Sequence, residues 1–286
     1  MSQPQAQQQL APPVMKILLG RVLEQQRKNA GLTQDEAAEV LRCTQQKIAY
    51  IENGGGIKYL EMQGLLNAYH PSDTDRAYAE DLHTESQRRA KRGGFRSRFR
   101  QHMRLLVDLE PTCQRFFSHQ SKLVPGLLQT EEYMRTLFRA WRPSPSQAQI
   151  DNDTAARIER RKILDNTDQR FWFIMDEAAL KRIAGSRKVV QAQLMRLVET
   201  IDRPNVDLQV VPFEVGYYMG QEQSYTIFGY DTTPPVDIVY LEQHDSGEYV
   251  DDVKRTSKYE TLWEQQKAAA MGPEQTRRFL LDLATS

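Results

Sequence analysis

Through the first third of the chain, apolar residues recur at helical spacing. Ile17, Leu18, Val22 and Leu23 form one stripe, which predicts a helix over residues 15–30 ended by Gly31. Ala37, Val40 and Leu41 predict a short helix over residues 34–41, and Ile48 and Ile51 a second over residues 45–53. Leu60, Leu65, Leu66 and Ala68 supply the core side of a helix over residues 59–69, stopped by His70-Pro71. A fifth helix runs from Asp73 to about residue 89, with Asp73 and Asp75 suited to its positive N-terminal end. Beyond residue 105 the pattern is mixed. Alternation predicts a strand within residues 112–119, and the dense apolar run at residues 171–175 (FWFIM) predicts a strand buried on both faces. Further strands are predicted over residues 206–213, 224–230 and 236–241. Helices are predicted over residues 127–141, 150–164, 177–183, 189–201, 250–270 and 273–284, with Leu194, Leu197 and Val198 inward in the fourth of these. The expectation is a multidomain chain: an all-α five-helix domain at residues 15–89, then a larger α+β domain at residues 105–286. Residues 1–14 form a polar lead-in expected to be disordered, and residues 90–104 a basic linker or helix.

The stretch from Gly31 to Gly54 reads as two short helices joined by a tight turn. Thr33 is an N-cap, and Glu36 three residues later completes a capping box. Arg42 and Cys43 make the turn, Thr44 caps the second helix, and Gly54 supplies the left-handed residue after it. This leaves Gln45, Gln46 and Lys47 at the start of the second helix, with Tyr50 one turn on. A glutamine amide sets a donor beside an acceptor, which matches adenine N6 and N7 in the major groove. Gln34 and Thr44 are placed to hold phosphate, and Lys47 to add a phosphate or guanine contact. The bland alternative is a helical dimerisation module without a DNA role.

These residues resemble the helix-turn-helix of Cro/CI-type repressors, the XRE family. The matches are Leu32-Thr33-Gln34, Thr44-Gln45-Gln46 and Ile51-Glu52-Asn53-Gly54. Arg27 and Glu52 match a pair that ties helices together in that family. The resemblance implies a lambda-repressor-like five-helix domain. It puts Gln45, Gln46 and Tyr50 on the bases, and Gln34 and Thr44 on phosphates. Cys43 departs from the pattern, which has valine there; a small buried residue still fits.

Composition narrows the function classes. Net charge is zero over 286 residues, and hydrophobic content is 40%. No apolar run approaches the roughly 20 residues of a membrane helix. The N-terminus lacks a basic-then-apolar signal pattern. The two cysteines, Cys43 and Cys113, make neither a disulfide framework nor a metal spacing, and a reducing cytoplasm fits. Positive charge is concentrated in residues 88–104, which hold eight basic residues and no acidic one. Phe95, Phe99, Met103 and Leu106 fall at helical spacing there, opposite Arg96, Arg98, Arg100 and Arg104. Two readings stay open. Arg96 and Arg98 contact phosphate, or the phenylalanines pack the segment on the C-terminal domain and the arginines are a solvated face. The predicted helix-turn-helix domain is itself slightly acidic, so a dimer is expected for tight binding of double-stranded DNA.

In the C-terminal part, residues 123–135 (LVPGLLQTEEYMR), 175–182, 193–197 and 208–213 resemble the C-terminal domain of actinobacterial XRE-type regulators of the WhiJ kind. That resemblance implies a transcription factor paired with a small acidic companion protein, some such regulators being antitoxin-like, and a C-terminal domain that senses the companion or a ligand. Nothing by spacing makes an enzyme. Glu131 and Glu132 are adjacent and point apart, Asp176 and Glu177 have no fixed partner, and His102, His119 and His244 are scattered without ligand spacing. No cofactor or metal is expected. The glycine-flanked Tyr217, Tyr218 and Met219 form either a ligand or partner loop or an ordinary connection with its aromatics in the core, and the second reading is preferred.

Overall fold

The computed structural model describes residues 11–87, 98–99, 103–141, 144–243 and 246–285. The chain divides into two compact units, Met1–Gly93 and Gly94–Ser286.

The described part of the first unit is five helices: α1 (Pro12–Asn29), α2 (Gln34–Leu41), α3 (Gln45–Glu52), α4 (Tyr59–Tyr69) and α5 (Asp73–Ser86). α1 opens on two prolines, which suit a first turn whose N–H groups have no intrahelical acceptor. Its start at Pro12 takes residues 12–14 out of the predicted lead-in; residues 1–10 lie outside the described residues. α5 ends three residues short of 89, and residues 88 and 89 are outside the described residues.

The core of this unit follows the expected stripe at Ile17, Leu18, Leu23, Ile48, Ile51, Leu65 and Leu66. Several inward assignments fall short, Val22 and Leu41 being only half-buried. Val40 is 43% exposed while Ala38 joins Ala37 in the core, because two turns of helix leave the phase of the stripe ambiguous. Leu60 is 81% exposed and Ala68 half-buried. The buried face of α4 is Met62, Leu65, Leu66 and Tyr69, a 3–4 spacing that excludes both. Cys43 is half-buried in the turn rather than in the core. α1 and α3 cross closely at Gly20, where a β-carbon would sit 2.5 Å from the Glu52 carbonyl oxygen.

The second unit is built on a six-stranded mixed sheet of β1 (Arg115–Gln120), β2 (Arg170–Asp176), β3 (Val206–Val211), β4 (Tyr225–Tyr230), β5 (Val236–Glu242) and β6 (Gly247–Val250). Their order is β3-β2-β1-β4-β5-β6. β1, β2 and β3 are parallel; β4, β5 and β6 continue the sheet antiparallel. The helices are α6 (Arg104–Leu109), α7 (Glu131–Trp141), α8 (Gln147–Arg161), α9 (Glu177–Lys181), α10 (Arg187–Ile201), α11 (Val253–Ala269) and α12 (Pro273–Thr285). β6 was not foreseen, since four residues are too few to show alternation; it takes the start of the helix expected from residue 250. The helix expected from residue 127 is instead a 3-10 turn, Gly126–Leu128, followed by α7. Gln129 between them is extended, and its amide donates to the Val124 carbonyl.

Register assigns the two faces of the sheet. Phe116, Ser118, Phe171, Phe173, Thr226, Phe228 and Tyr240 share one. Phe117, His119, Trp172, Ile174, Tyr225 and Ile227 share the other, where Trp263 of α11 packs. The run FWFIM is β2, next to the sheet centre and buried except for a half-buried Trp172. Leu194, Leu197 and Val198 of α10 are buried as the pattern required.

Candidate nucleic-acid interface

Local chemistry sets the two helices of residues 34–52. The Thr33 side chain accepts from the Glu36 N–H, and the Glu36 carboxylate accepts from the Thr33 N–H at 2.7 Å, closing the capping box. Those bonds to Thr33 hold the Glu36 carboxyl below its usual value. Arg42 takes the left-handed conformation (φ 50°) that turns the chain. The Thr44 hydroxyl then accepts from the Lys47 N–H at 3.3 Å. Gly54 sits at φ 82°, where a side chain would be strained.

A line of polar contacts runs outward from the core to this surface. Arg27 donates from Nε to Glu52 Oε1 at 2.6 Å and from Nη2 to Oε2 at 2.9 Å. Both side chains are buried, and the bond to Glu52 raises the Arg27 guanidinium above its ordinary value. Arg27 also donates to the Leu32 carbonyl at 2.7 Å, bracing the loop before α2. Gln34 Nε2 donates to Glu52 Oε2 at 2.8 Å, and Gln34 Oε1 accepts from Gln45 Nε2. A half-buried residue of α2 thus links a buried ion pair to the first side chain of α3. An amide carries two N–H donors and an oxygen with two lone pairs. Gln45 therefore keeps one donor and its acceptor, and Gln34 keeps one donor.

Around that line, Thr44, Gln46 and Tyr50 are exposed. Gln46 makes no hydrogen bond among the described residues. Lys47 is half-buried and ion-paired with Glu61 of α4, which holds the Glu61 carboxyl below its usual value. A phosphate would have to compete with Glu61 for Lys47, a partner that sequence spacing did not reveal. Of the basic run, Arg96 lies outside the described residues. Arg98 pairs with Glu159 of α8 at 2.9 Å, and Phe99 is buried.

In the second unit, the fold brings together groups that sequence left scattered. Asp176 caps α9, accepting from the Ala178 N–H at 2.6 Å, as its position implied. Its other carboxylate oxygen accepts from the Tyr218 hydroxyl at 3.0 Å. Tyr218 oxygen lies 3.2 Å from His119 Nε2, and His119 Nδ1 lies 3.0 Å from the Gln223 carbonyl. So Asp176 does have a histidine within one side chain of it, placed there by neighbouring parallel strands. All three side chains are buried. Burial pulls the His119 imidazole below its ordinary value, against the Gln223 carbonyl and the charges of Asp176 and Glu222, which favour the cation. Tyr218 has one proton for two acceptors. The cluster ties β1, β2 and the 213–223 loop together. Within that loop Tyr218 is core, whereas Tyr217 is 77% and Met219 57% exposed. Glu131 and Glu132 are exposed first-turn charges of α7, and Glu131 pairs with Arg135.

Two compact helices, each capped by a threonine, with an exposed glutamine pair and a buried ion pair behind it, make a helix-turn-helix unit. Residues 18–79 match a family model described as a helix-turn-helix domain. Residues 103–282 match the model described as a domain of unknown function, DUF5753, and the chain belongs to that family. No curated protein and no solved structure gives a significant match. Among the described residues, no helix is long and apolar enough to cross a membrane.

Proposed function

We propose that this protein is a sequence-specific, DNA-binding transcriptional regulator of the XRE type. It works as a homodimer, and its C-terminal domain senses a small partner protein or ligand. The observation that supports this best is the line Arg27–Glu52–Gln34–Gln45. It restrains an amide at the N-terminus of α3 beside the exposed Gln46, and a restrained amide reads a base at lower entropic cost than a free one. Gln45, Gln46 and Tyr50 face bases, while Thr44, the spare donor of Gln34 and Lys47 meet phosphates. A symmetric dimer reads half-sites about one helical turn apart, roughly 34 Å.

The test is selection of bound duplexes from a random library with wild type and the Gln45→Ala/Gln46→Ala double variant. Wild type should enrich a palindrome. The variant should lose that enrichment and keep its salt-sensitive background binding. A variant that enriches the same palindrome would remove the glutamines from the readout. A wild type that enriches nothing, alone or with a partner added, would remove the regulator reading.

A second reading is an antitoxin-like interaction module that binds a small acidic companion, with DNA binding for autoregulation. Its support is the 213–219 loop, where Phe213, Val215, Tyr217 and Met219 are all exposed at alternate positions. An exposed apolar set of this kind suits protein contact. Co-purification of the product of a neighbouring small gene, lost on Tyr217→Ser/Met219→Ser, distinguishes it.

A further inference from the structure

A cavity of about 490 Å³ lies in the second unit between the Phe116 face of the sheet and the helices α6, α7 and α8. Its size falls in the range of small-molecule sites, roughly 300–1,000 Å³. The sheet side is Phe116, Phe173, Ser118, Thr226 and Tyr240, all buried. Leu106, Leu127, Leu137 and Trp141 supply apolar wall from the turns and helices. A body with an aromatic or aliphatic skeleton fits such a lining.

The charge in the cavity is the unusual part. Two arginines of α8 line it. Arg160 is neutralised: its Nε donates to Glu110 Oε2 at 2.7 Å, and that carboxylate is almost fully buried. Arg157 has no ion-pair partner among the described residues. Its Nη1 donates to the Gln129 oxygen at 2.6 Å, and the guanidinium carbon lies 4.5 Å over the Phe138 ring. One neutral acceptor leaves most of its five N–H donors without a hydrogen bond among the described residues. Burial, with Arg160 close by, pulls this guanidinium down to about 10. The other charged residues on the lining, Lys122, Glu222 and Glu242, are exposed, so water screens them. The charges of Glu242 and of Asp153, one turn earlier on α8, favour the Arg157 cation without an ion pair to it among the described residues. Across the cavity the Tyr240 hydroxyl is buried with no hydrogen-bond partner among the described residues. A half-buried cation with no ion-pair partner among the described residues and a buried hydroxyl with no hydrogen-bond partner among them both favour an entering anion.

We infer that this cavity is a binding site for a small carboxylate with an aromatic or apolar body, its carboxylate held by Arg157 and its body lying over Phe116 and Phe173. This rests on the reading of the C-terminal domain as a sensor and names the class of ligand sensed.

Of the chain's three tryptophans, Trp141 lines the cavity, while Trp172 and Trp263 sit on the other face of the sheet. Tryptophan fluorescence of the full chain therefore reads the site. The probes are 1-naphthaleneacetate and its neutral amide, which share shape and differ in charge. Wild type should bind the acid at least about tenfold more tightly than the amide, a difference of roughly 1.4 kcal/mol. The signal should vanish in Trp141→Phe. In Arg157→Gln the preference should fall to about unity, with amide affinity kept. Arg157→Gln keeps an amide that can donate to Gln129, so its urea midpoint should stay close to that of wild type, and Ser118→Val, which narrows the sheet side, should weaken both probes together. Equal affinity for acid and amide, an acid preference that survives Arg157→Gln, or no saturation by either probe would overturn the site. Titrating the selected DNA with and without the acid keeps the two claims apart. Arg157-dependent binding that leaves DNA affinity unchanged establishes the site and removes the sensing role; DNA affinity that responds to another effector, with no binding of either probe, does the reverse.

Discussion

Arg27 and Glu52 show how much one buried pair does at the scale of the residue. The pair joins α1 to α3, and its carboxylate also holds Gln34. Removing one partner leaves the other charged in a poor solvent. Glu52→Ala should therefore destabilise the folded domain by about 3 kcal/mol. Replacing both, as Arg27→Met/Glu52→Met, should cost much less, since a packed apolar pair needs no counter-charge. Urea midpoints of the three proteins check this, and equal losses for both variants would contradict it. The double variant should still lose specificity, because Gln34 then has no anchor. His119 carries a second residue-scale expectation. Its folded value lies below the ordinary 6.5, so protonation costs more in the folded chain than in the unfolded one. Stability from this group is complete above about pH 6.5 and is lost as pH falls through the lowered folded value. Urea midpoints should drop between pH 7.5 and pH 5.5 more steeply for wild type than for His119→Gln; parallel curves would show that Asp176 and Glu222 compensate fully.

Between elements, the contact that bears most on the proposed DNA binding joins α3 to α4. Lys47 on α3 is held by Glu61, so this cation of the proposed DNA-facing surface is partly neutralised inside the protein. Glu61→Gln should release it. DNA affinity should rise severalfold at low salt, and the salt slope should steepen by about 0.9 if one more phosphate is contacted. Filter binding at several salt concentrations measures both, and an unchanged slope would place Lys47 off the phosphates. The same elements show where sequence was readable. α2 begins and ends where its caps placed it, because Thr33, Glu36 and Arg42 act within a few residues of one another. α4 has the expected limits but a different buried face, because which stripe is covered depends on α2 and not on α4 alone.

For the whole molecule, the first unit is close to neutral, with twelve Lys and Arg against eleven Asp and Glu over Met1–Gly93, so it brings little net attraction to a polyanion. Binding at physiological salt should then depend on two copies acting together. A chain ending at residue 93 should bind the selected palindrome at least about a hundredfold more weakly than the full protein, within the range that linkage supplies. Comparable affinity, by titration at matched salt, would show that the second unit contributes no dimerisation.

The five-helix domain, its capped turn and its exposed glutamines were set by the sequence alone, since capping, glycine at φ 82° and apolar spacing are local effects over a few residues. The α+β class of the second unit was legible for the same reason, from FWFIM and the alternating runs. Tertiary structure alone decided the strand order, the edge strand β6, the pairing of Lys47 with Glu61 and the meeting of His119 with Tyr218 and Asp176. It alone decided that Arg160 has a counter-ion, whereas Arg157, three residues before it on a charged helix, meets an amide and a ring and has no ion-pair partner among the described residues. The partners in those contacts come from segments far apart in the chain. A residue's own neighbours do not encode which distant segment the sheet will bring beside it.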